Sequence, residues 1–456
     1  MVRIHPAVPE QKMMKDKKNK PSKELPLGFV DRQEKELLVR DFIISNIKEV
    51  MIKYGFQYLE TPSFEYTDSI GKFLPDKDRP DEGVFSFQDE KKWLSLRYDL
   101  TAPLARYVAK NYLEIPKPFK RYQLGTVWRN EKPGPGRFRE FLQFDADFVG
   151  TKSLQADAEL CVLISEILEK CGLSKEEYII KISSRKITEE LFKKINIDNN
   201  EQRLTALRAL DKIDRLGWSG VKQLLGEGRK DKSGDFTKGA NLNSSSIETV
   251  EKELNKKSPD TDDLLEIFKI FKDYGFSNFE FDPSIIRGLE YYTGPIFEVG
   301  LKFDVKNNKG QVIQFGSIGG GGRYDNLVNN FGNYDAPATG ISIGLDRLVY
   351  ALMQKKEFKV KQSKPVVICV FDKNLMKDYI NLQKILRDAG VSTEIYPEES
   401  KLKKQMEYAN KINAPAVILY GEDEIKSGKP TLRDLSSGNE KSIPIKELVN
   451  EIKKII

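Results

Sequence analysis

The sequence predicts an α+β protein with three parts: an antiparallel sheet with flanking helices, a helical insertion and a C-terminal α/β domain. Residues 119–148 alternate in polarity on either side of a Pro/Gly turn, which is typical of two paired strands. Residues 190–275 are charged and helix-prone, with a Gly/Ser/Lys-rich break at 226–246. From Pro365 onwards short apolar strands alternate with helical segments, which indicates a mostly parallel sheet.

Composition limits the possible chemistry. The chain has 456 residues, enough for two or three domains, and a net charge of +6 that permits a nucleic-acid partner. The single histidine, His5, lies in a basic extension (residues 1–24) that we expect to be disordered, so histidine-dependent triads and metal sites are excluded from the rest. Three cysteines form no CxxC motif and no apolar run could span a membrane, so we expect a cytoplasmic location.

The first predicted elements are a long helix and a strand. Apolar residues recur at helical spacing between Val30 and Tyr54, and Gly55 ends the pattern. Residues 56–66 then read as a strand interrupted by Pro62. The helix could contact a second copy of the chain or pack on its own sheet, and the pattern is compatible with both.

A second strand passes into a helix between Trp93 and Val108. Asp99 and Thr101 lie at the junction and Pro103 lies in the first turn, positions where helix starts favour these residue types. We therefore expect Asp99 or Thr101 to cap the helix, whatever other role the two side chains have.

The paired strands of residues 119–148 would place Arg129, Gln143 and Asp147 on one face. A half-solvated sheet with a polar outer face would give the same alternation. An arginine, an amide and carboxylates among apolar neighbours nevertheless suit a polar ligand better than bulk water. Arg137 and Arg139 add a basic rim beside the turn, which suits phosphates.

Five segments resemble motifs of one enzyme class. WRNEKPGPGRFREF (128–141) is similar to motif 2 of the class II aminoacyl-tRNA synthetases, and ATGISIGLDRLVYAL (338–352) is similar to their motif 3. RGLEYY (287–292) and GGGRYD (320–325) resemble segments specific to the histidyl family. The glycine-rich run is not a P-loop, because no Lys-Ser/Thr follows it. Residues 30–66 resemble motif 1, the dimer interface of the class.

The resemblance implies ATP-dependent activation of L-histidine to histidyl-adenylate and transfer to tRNA(His), with release of AMP and diphosphate. ATP is then a substrate that Mg²⁺ accompanies, and tRNA(His) and a second copy of the chain are partners. The implied organisation is a class II catalytic domain (25–354) with an insertion at about 190–275, a linker (355–364) and an anticodon-binding α/β domain (365–456).

Matching the motifs residue by residue implies a set of site residues. Arg129 and Arg287 would be catalytic. The histidine-binding residues would be Asp99, Thr101, Gln143, Asp147, Tyr291, Tyr292 and Tyr324. The ATP-binding residues would be Arg129, Glu131, Arg139 and Arg347, and no residue is assigned to a metal. Arg323 would also reach the amino-acid pocket, whereas Asp99 stands where many relatives carry the longer glutamate.

Two other interpretations remain open. Regulatory subunits related to the histidyl enzymes bind histidine and assist an ATP phosphoribosyltransferase, but they typically lack the C-terminal domain and have degraded motifs. A class II synthetase for another amino acid would share motifs 2 and 3 but not the two histidyl-specific segments. The arginines of the motifs and the C-terminal domain favour the synthetase interpretation.

Overall fold

A computed structural model describes residues 22–71, 83–231, 234–286, 292–355, 358 and 364–456. The chain divides into two compact units, Met1–Phe358 and Lys359–Ile456. Within the ranges just given, every helix is too short or too polar to cross a lipid bilayer.

The first unit contains helices and strands in mixed order. Its α-helices in the described ranges are α1 (Glu34–Lys53), α2 (Thr67–Gly71), α3 (Thr101–Lys110), α4 (Leu154–Lys170), α5 (Arg185–Lys194), α6 (Asn200–Leu210), α7 (Ile213–Leu225), α8 (Ser244–Leu254), α9 (Asp262–Tyr274) and α10 (Leu345–Leu352). Its strands there are β1 (Gln57–Tyr58), β2 (Phe64–Tyr66), β3 (Ser86–Asp89), β4 (Lys92–Leu96), β5 (Phe119–Trp128), β6 (Glu140–Val149), β7 (Tyr178–Ser184), β8 (Gly228–Lys230), β9 (Phe236–Lys238), β10 (Phe279–Phe281), β11 (Pro295–Leu301), β12 (Val305–Lys306), β13 (Val312–Ile313), β14 (Gly319–Arg323) and β15 (Ala338–Gly344).

The main sheet has the strand order β1-β5-β6-β15-β14-β11-β7-β10. The six inner strands pair antiparallel, and the two edge strands β1 and β10 pair parallel to their neighbours. A separate antiparallel sheet has the order β2-β4-β3. The predicted antiparallel core with flanking helices is therefore confirmed.

The predicted N-terminal elements are present with shifted bounds. The helix begins at Glu34 rather than Val30, because Gln33 before it is extended, and it buries Val39, Ile43 and Ile47. The buried face of α1 lies against α4 and α10 of the same unit. The strand that Pro62 was expected to interrupt is two short strands, β1 and β2.

The insertion has an apolar core of its own. Helices α5 to α8 bury Leu207, Val221, Leu225 and Val250 together, although the sequence indicated only a polar helical module. The Gly/Ser/Lys-rich break contains the small antiparallel hairpin β8–β9. Helix α9 packs instead against α4 and β7 of the main body.

The second unit is an α/β domain with a five-stranded sheet. Its strands are β16 (Val366–Cys369), β17 (Thr393–Ile395), β18 (Ala416–Leu419), β19 (Thr431–Asp434) and β20 (Glu440–Ser442), in the order β17-β16-β18-β19-β20. Its α-helices are α11 (Met376–Asp388), α12 (Leu402–Lys411), α13 (Glu422–Ser427) and α14 (Ile445–Ile455). The first three strands are parallel as predicted, but β19 pairs antiparallel with β18, and β20 pairs antiparallel with β19.

Candidate active site

The register of β5 and β6 brings polar side chains to one face of the sheet. Arg121 is opposite Asp147, and Gly125 is opposite Gln143. Because directly opposite residues point to the same face, these side chains and that of Asp145 lie together. We call Arg121, Gln143, Asp145 and Asp147 the polar floor; each is at most 5% exposed.

Asp147 is held by Arg121 of β5 and by Tyr324, which follows β14. The Arg121 guanidinium lies with its Nη2 3.0 Å from Asp147 Oδ2 and donates to the Leu100 carbonyl. The Tyr324 hydroxyl donates to Asp147 Oδ1. In β15, Gly340 is opposite Asp147, and a Cβ at that position would lie 2.0 Å from Oδ1. The missing side chain at Gly340 therefore provides the space for the carboxylate.

Asp145 contacts two residues that the sequence assigned to histidine. It accepts from Gln143 Nε2 at 2.7 Å and from Thr101 Oγ1 at 3.3 Å. Burial, and then the charge of Asp147, raise the pKa of Asp145 to about 7, against the opposing effect of Arg121. Burial also raises the pKa of Asp147, although Arg121 lowers it.

Asp145 and Arg121 were not assigned to the site from the sequence. The signal was present, because aspartates two residues apart on a strand share a face. The register that puts an arginine opposite one of them could not be read from one strand alone.

Arg129 connects the floor to the loop between β5 and β6. Its Nη2 donates to Gln143 Oε1 at 3.4 Å, and its guanidinium lies 4.5 Å from the centre of the Tyr98 ring. Tyr98 donates through its hydroxyl to Glu131 at 2.9 Å, and Arg137 forms an ion pair with Glu131. Burial would raise the pKa of Glu131, but the cations of Arg129 and Arg137 outweigh it and lower the pKa.

A cleft of about 350 Å³ opens between this loop, β14 and α10. We call it the arginine cleft, because its charged lining consists of Arg129, Glu131, Arg137 and Arg347. Arg347 lies in the first turn of α10 and donates to the carbonyls of Phe315 and Ser317. Exposed backbone N–H groups and a cation at a helix N-terminus together favour an anion.

The segment before α1 supports both sides of the arginine cleft. Arg139 donates its backbone N–H to the Gly28 carbonyl at 2.9 Å, and its Nε donates to the Glu131 carbonyl. Arg32 pairs with Asp346 at 2.7 Å, next to Arg347. The predicted Arg139 is thus anchored beside the cleft, whereas Arg137 lines it.

Asp99 caps α3, which confirms the expectation that either Asp99 or Thr101 would cap this helix. Its Oδ1 accepts from the backbone N–H groups of Thr101 at 3.1 Å and Ala102 at 2.9 Å. Thr101 is buried and uses its hydroxyl towards Asp145 instead. Tyr292 lines the arginine cleft, whereas Arg287 and Tyr291 lie outside the described residues.

The glycine-rich run forms β14 of the main sheet. The two residues at its end, Arg323 and Tyr324, point to opposite faces of that sheet. Tyr324, just after β14, reaches the polar floor, but Arg323 points to the other face because neighbouring residues alternate. Arg323 pairs there with the buried Asp157 and donates to the Thr151 carbonyl. The expectation that Arg323 lies in the amino-acid pocket is therefore wrong.

The described residues contain no group of three His, Cys, Asp or Glu side chains that could hold a metal ion. Among the described residues that line the arginine cleft, only Glu131 carries a carboxylate, and it already forms an ion pair with Arg137. This donor set fits an ion that arrives with phosphate oxygens better than a site built by the protein alone.

A family model described as histidyl-tRNA synthetase matches residues 28–348, well over half of the chain. The chain belongs to the histidyl-tRNA synthetase family. A second model, described as an anticodon-binding domain, matches residues 365–455. The histidyl-tRNA synthetase match contains the polar floor and the arginine cleft in full.

Relatives and solved structures agree with the family. The chain is 46% identical to the histidine–tRNA ligase of Bartonella quintana, over 95% of this chain and 93% of that protein. It is 46% identical to that of Rhodopseudomonas palustris, over 94% and 92%. The histidyl-tRNA synthetase from Nostoc sp. PCC 7120 is 26% identical, with a TM-score of 0.73 over 96% of this chain and 100% of the other.

The similarity to another solved structure concerns the fold alone. A protein from Bacillus halodurans described as an ATP phosphoribosyltransferase regulatory subunit/histidyl-tRNA synthetase has a TM-score of 0.64 at 23% identity, over 86% of this chain and 97% of that one. The fold is therefore compatible with both descriptions, and the distinction depends on the residues of the site.

Asp145→Asn should stabilise the ligand-free protein above neutral pH. With its pKa raised from 3.8 to about 7, Asp145 stabilises the folded chain most at low pH, and this contribution is lost as the pH rises through about 7. Asparagine cannot ionise, so the free energy of unfolding of the variant, relative to wild type, should increase between about pH 4 and about pH 7 and stay level at higher pH. Urea denaturation of both proteins at a series of pH values measures this free energy.

The exposed Glu114→Gln is the control for this experiment and should show no such increase. A pH-independent difference for Asp145→Asn would contradict a titration of Asp145 in this range.

Proposed function

We propose that the arginine cleft and the polar floor form one active site for ATP-dependent activation of L-histidine and its transfer to tRNA(His). AMP and diphosphate are the other products. One observation carries the assignment: Gln143 contacts Arg129 of the cleft through Oε1 and Asp145 of the floor through Nε2. A cationic site for a nucleotide and a buried acidic site for a small substrate with an ammonium group thus meet at one residue.

The nucleotide would occupy the arginine cleft. Arg129, together with Arg287, would face the α-phosphate, and Arg347 at the start of α10 would bind the outer phosphates. Glu131 would lie near the adenine, with Arg139 as a support of the loop. Mg²⁺ would be held chiefly by phosphate oxygens and would neutralise their charge.

Histidine would lie on the polar floor. Neutral imidazole has one N–H donor and one acceptor nitrogen. Asp147 Oδ2 is buried, faces Arg121 and has no hydrogen-bond partner among the described residues, so it suits the imidazole N–H. Tyr324 already donates to Asp147 and would orient it. We therefore propose Tyr292, together with Tyr291 that precedes it in the sequence, as the donor to the second nitrogen.

The substrate's ammonium group would be bound by Asp99, Thr101 and Gln143. These residues lie around the junction of α3 and the floor, where Thr101 and Gln143 both contact Asp145. A site of buried polar groups rejects apolar amino acids by leaving its own groups unpaired.

The chemistry needs no general base in the first step. The ionised carboxylate of histidine attacks the α-phosphorus of ATP, the bond to the β-phosphate bridging oxygen breaks, and diphosphate leaves. Fixed cations such as Arg129 stabilise the charge that develops on the α-phosphate. In the second step a ribose hydroxyl at the tRNA terminus attacks the adenylate carbonyl and AMP leaves; a phosphate oxygen of the adenylate takes the proton.

The second unit would contact tRNA. Its match to an anticodon-binding domain model supports this role. A cytoplasmic location is proposed because the three cysteines are free and buried. Cell fractionation would test it, and recovery of the protein outside the cytoplasm would contradict it.

The decisive measurement is ATP–pyrophosphate exchange with each of the twenty amino acids. Exchange with histidine alone, abolished by chelation of Mg²⁺, is expected, followed by charging of tRNA(His). Histidine binding without any exchange would favour the regulatory-subunit interpretation. Exchange with a different amino acid would contradict the proposed specificity.

Gly340→Ala should weaken histidine use selectively. The new methyl group cannot coexist with Asp147 in its present position, because the two atoms would lie 2.0 Å apart. Displacing a charged hydrogen-bonding group should raise the KM for histidine by about 10-fold or more, with little effect on the KM for ATP. Exchange kinetics measure both.

The control for Gly340→Ala is Gly300→Ala in β11, whose Cβ would make an ordinary contact of 3.7 Å with Ile179. It should leave both KM values near those of wild type. A normal KM for histidine in Gly340→Ala would remove Asp147 from the pocket.

We also propose a homodimer through the sheet of β2, β3 and β4. Phe64, Tyr66 and Phe87 point to one face of this sheet and are 49%, 46% and 44% exposed, which is a large apolar surface for an isolated chain. Phe87→Glu should therefore reduce a dimer to monomer in analytical ultracentrifugation. Leu113→Glu, at an apolar residue away from this sheet, should remain dimeric.

A further inference from the structure

The two neutral residues proposed to bind the substrate's ammonium group share a partner that the motifs do not identify. Gln143 and Thr101 both donate to Asp145, one to each carboxylate oxygen. Asp145 is itself 1% exposed and lies behind them. The donors and acceptors of these neighbours limit the role that Asp145 can have.

The first consequence concerns the amide of Gln143. Its two ends are chemically different, and an ammonium group can be bound only by the carbonyl oxygen. Asp145, when ionised, accepts only, so the NH₂ end of the amide must face it. Arg129 donates only, and it lies at 3.4 Å from Oε1. The two neighbours thus fix the amide with its oxygen towards the arginine cleft.

The second consequence concerns the hydroxyl of Thr101. A hydroxyl has one hydrogen and two lone pairs. With its hydrogen directed to Asp145 Oδ2, Thr101 presents lone pairs to any other neighbour. Both neutral groups are therefore prepared as acceptors by the same carboxylate.

We propose that Asp145 is a positioning residue that turns the Gln143 carbonyl oxygen and the Thr101 hydroxyl lone pairs towards the α-ammonium group of histidine. The inference rests on the proposed function of the site and adds to it a residue that selects for a charged amino group. Asp145 acts through its two neighbours rather than by direct contact.

Charge supports the same arrangement. The charged groups that act on Asp145 are Asp147, Asp99, Arg121 and Arg97. An ammonium group bound in front of Gln143 and Thr101 adds a cation near Asp145 and favours its ionised form. Binding of the ammonium group and ionisation of Asp145 therefore support each other.

The test compares two ligands that differ only in the amino group: L-histidine and 3-(imidazol-4-yl)propanoate, which lacks it. Their Kd values are measured calorimetrically with the full-length protein. Asn at position 145 has a donor at one end, so it cannot accept from both Gln143 and Thr101. Asp145→Asn should weaken histidine binding by about 10- to 100-fold and change the affinity for the propanoate by less than about 3-fold.

Two further variants complete the experiment. Thr101→Val keeps the side-chain shape and removes one acceptor, so it should weaken histidine by about 3- to 10-fold and spare the propanoate. It tests the inference even if Asp145→Asn folds poorly. Asp263→Asn is the control, because Asp263 is equally buried (3% exposed) and contacts Ser184 away from the site. It should leave the ratio of the two Kd values unchanged.

Three results would overturn the inference. Equal weakening of both ligands by Asp145→Asn would mean that Asp145 only shapes the pocket. An unchanged histidine Kd would mean that the orientation of Gln143 and Thr101 does not depend on it. Wild-type protein that bound neither ligand would contradict the proposed function itself and the inference with it.

Discussion

The register between β5 and β6 is the constraint on which the site depends. Side chains alternate along a strand, so a slip by one residue would turn the polar floor into the core and expose Tyr122 and Phe144. The apolar face of the pair is sealed by these rings, while the Arg121–Asp147 ion pair holds the polar face. Packing on one side and charge on the other thus specify the same alignment.

Burying the charged groups of the polar floor destabilises the folded chain. A buried guanidinium and two buried carboxylates lose hydration that their mutual contacts only partly replace. The Nε and Nη1 atoms of Arg121 have no hydrogen-bond partner among the described residues. A core designed for stability alone would place apolar side chains here. The floor is better understood as a surface whose remaining partner is a small polar ligand with a positive charge.

Much of the fold could be predicted because periodicity is local. The alternation in β5 and β6 predicted the shared face of Gln143 and Asp147, and the strand-to-helix pattern predicted β15 and α10. The glycine run Gly319–Arg323 was harder, since glycine usually indicates a turn. It is nevertheless a strand paired with β11 and β15, and glycine is required in it because a Cβ on Gly321 would be 2.0 Å from the Gly340 carbonyl oxygen.

Other features needed three-dimensional information. The importance of Arg121 and Asp145 depends on which residues the register puts opposite each other, and the Asp157 partner of Arg323 is distant in the chain. Motif resemblance could not separate Arg323 from Tyr324, because it assigns a segment and not the direction of each side chain. The apolar core of the insertion was hidden by its many surface charges.

The segment from Gly28 to Arg32 has a practical consequence for how the chain can be shortened. Gly28 binds the Arg139 backbone, and Arg32 binds both Asp346 and the Glu140 carbonyl. Two sides of one cleft are thus fastened by five consecutive residues that precede α1. A purification tag or a protease site is best placed before Gly28, because a cut between Gly28 and Arg32 would release the Gly28 contact, and a cut between Arg32 and α1 would release both, while every helix and strand stayed intact.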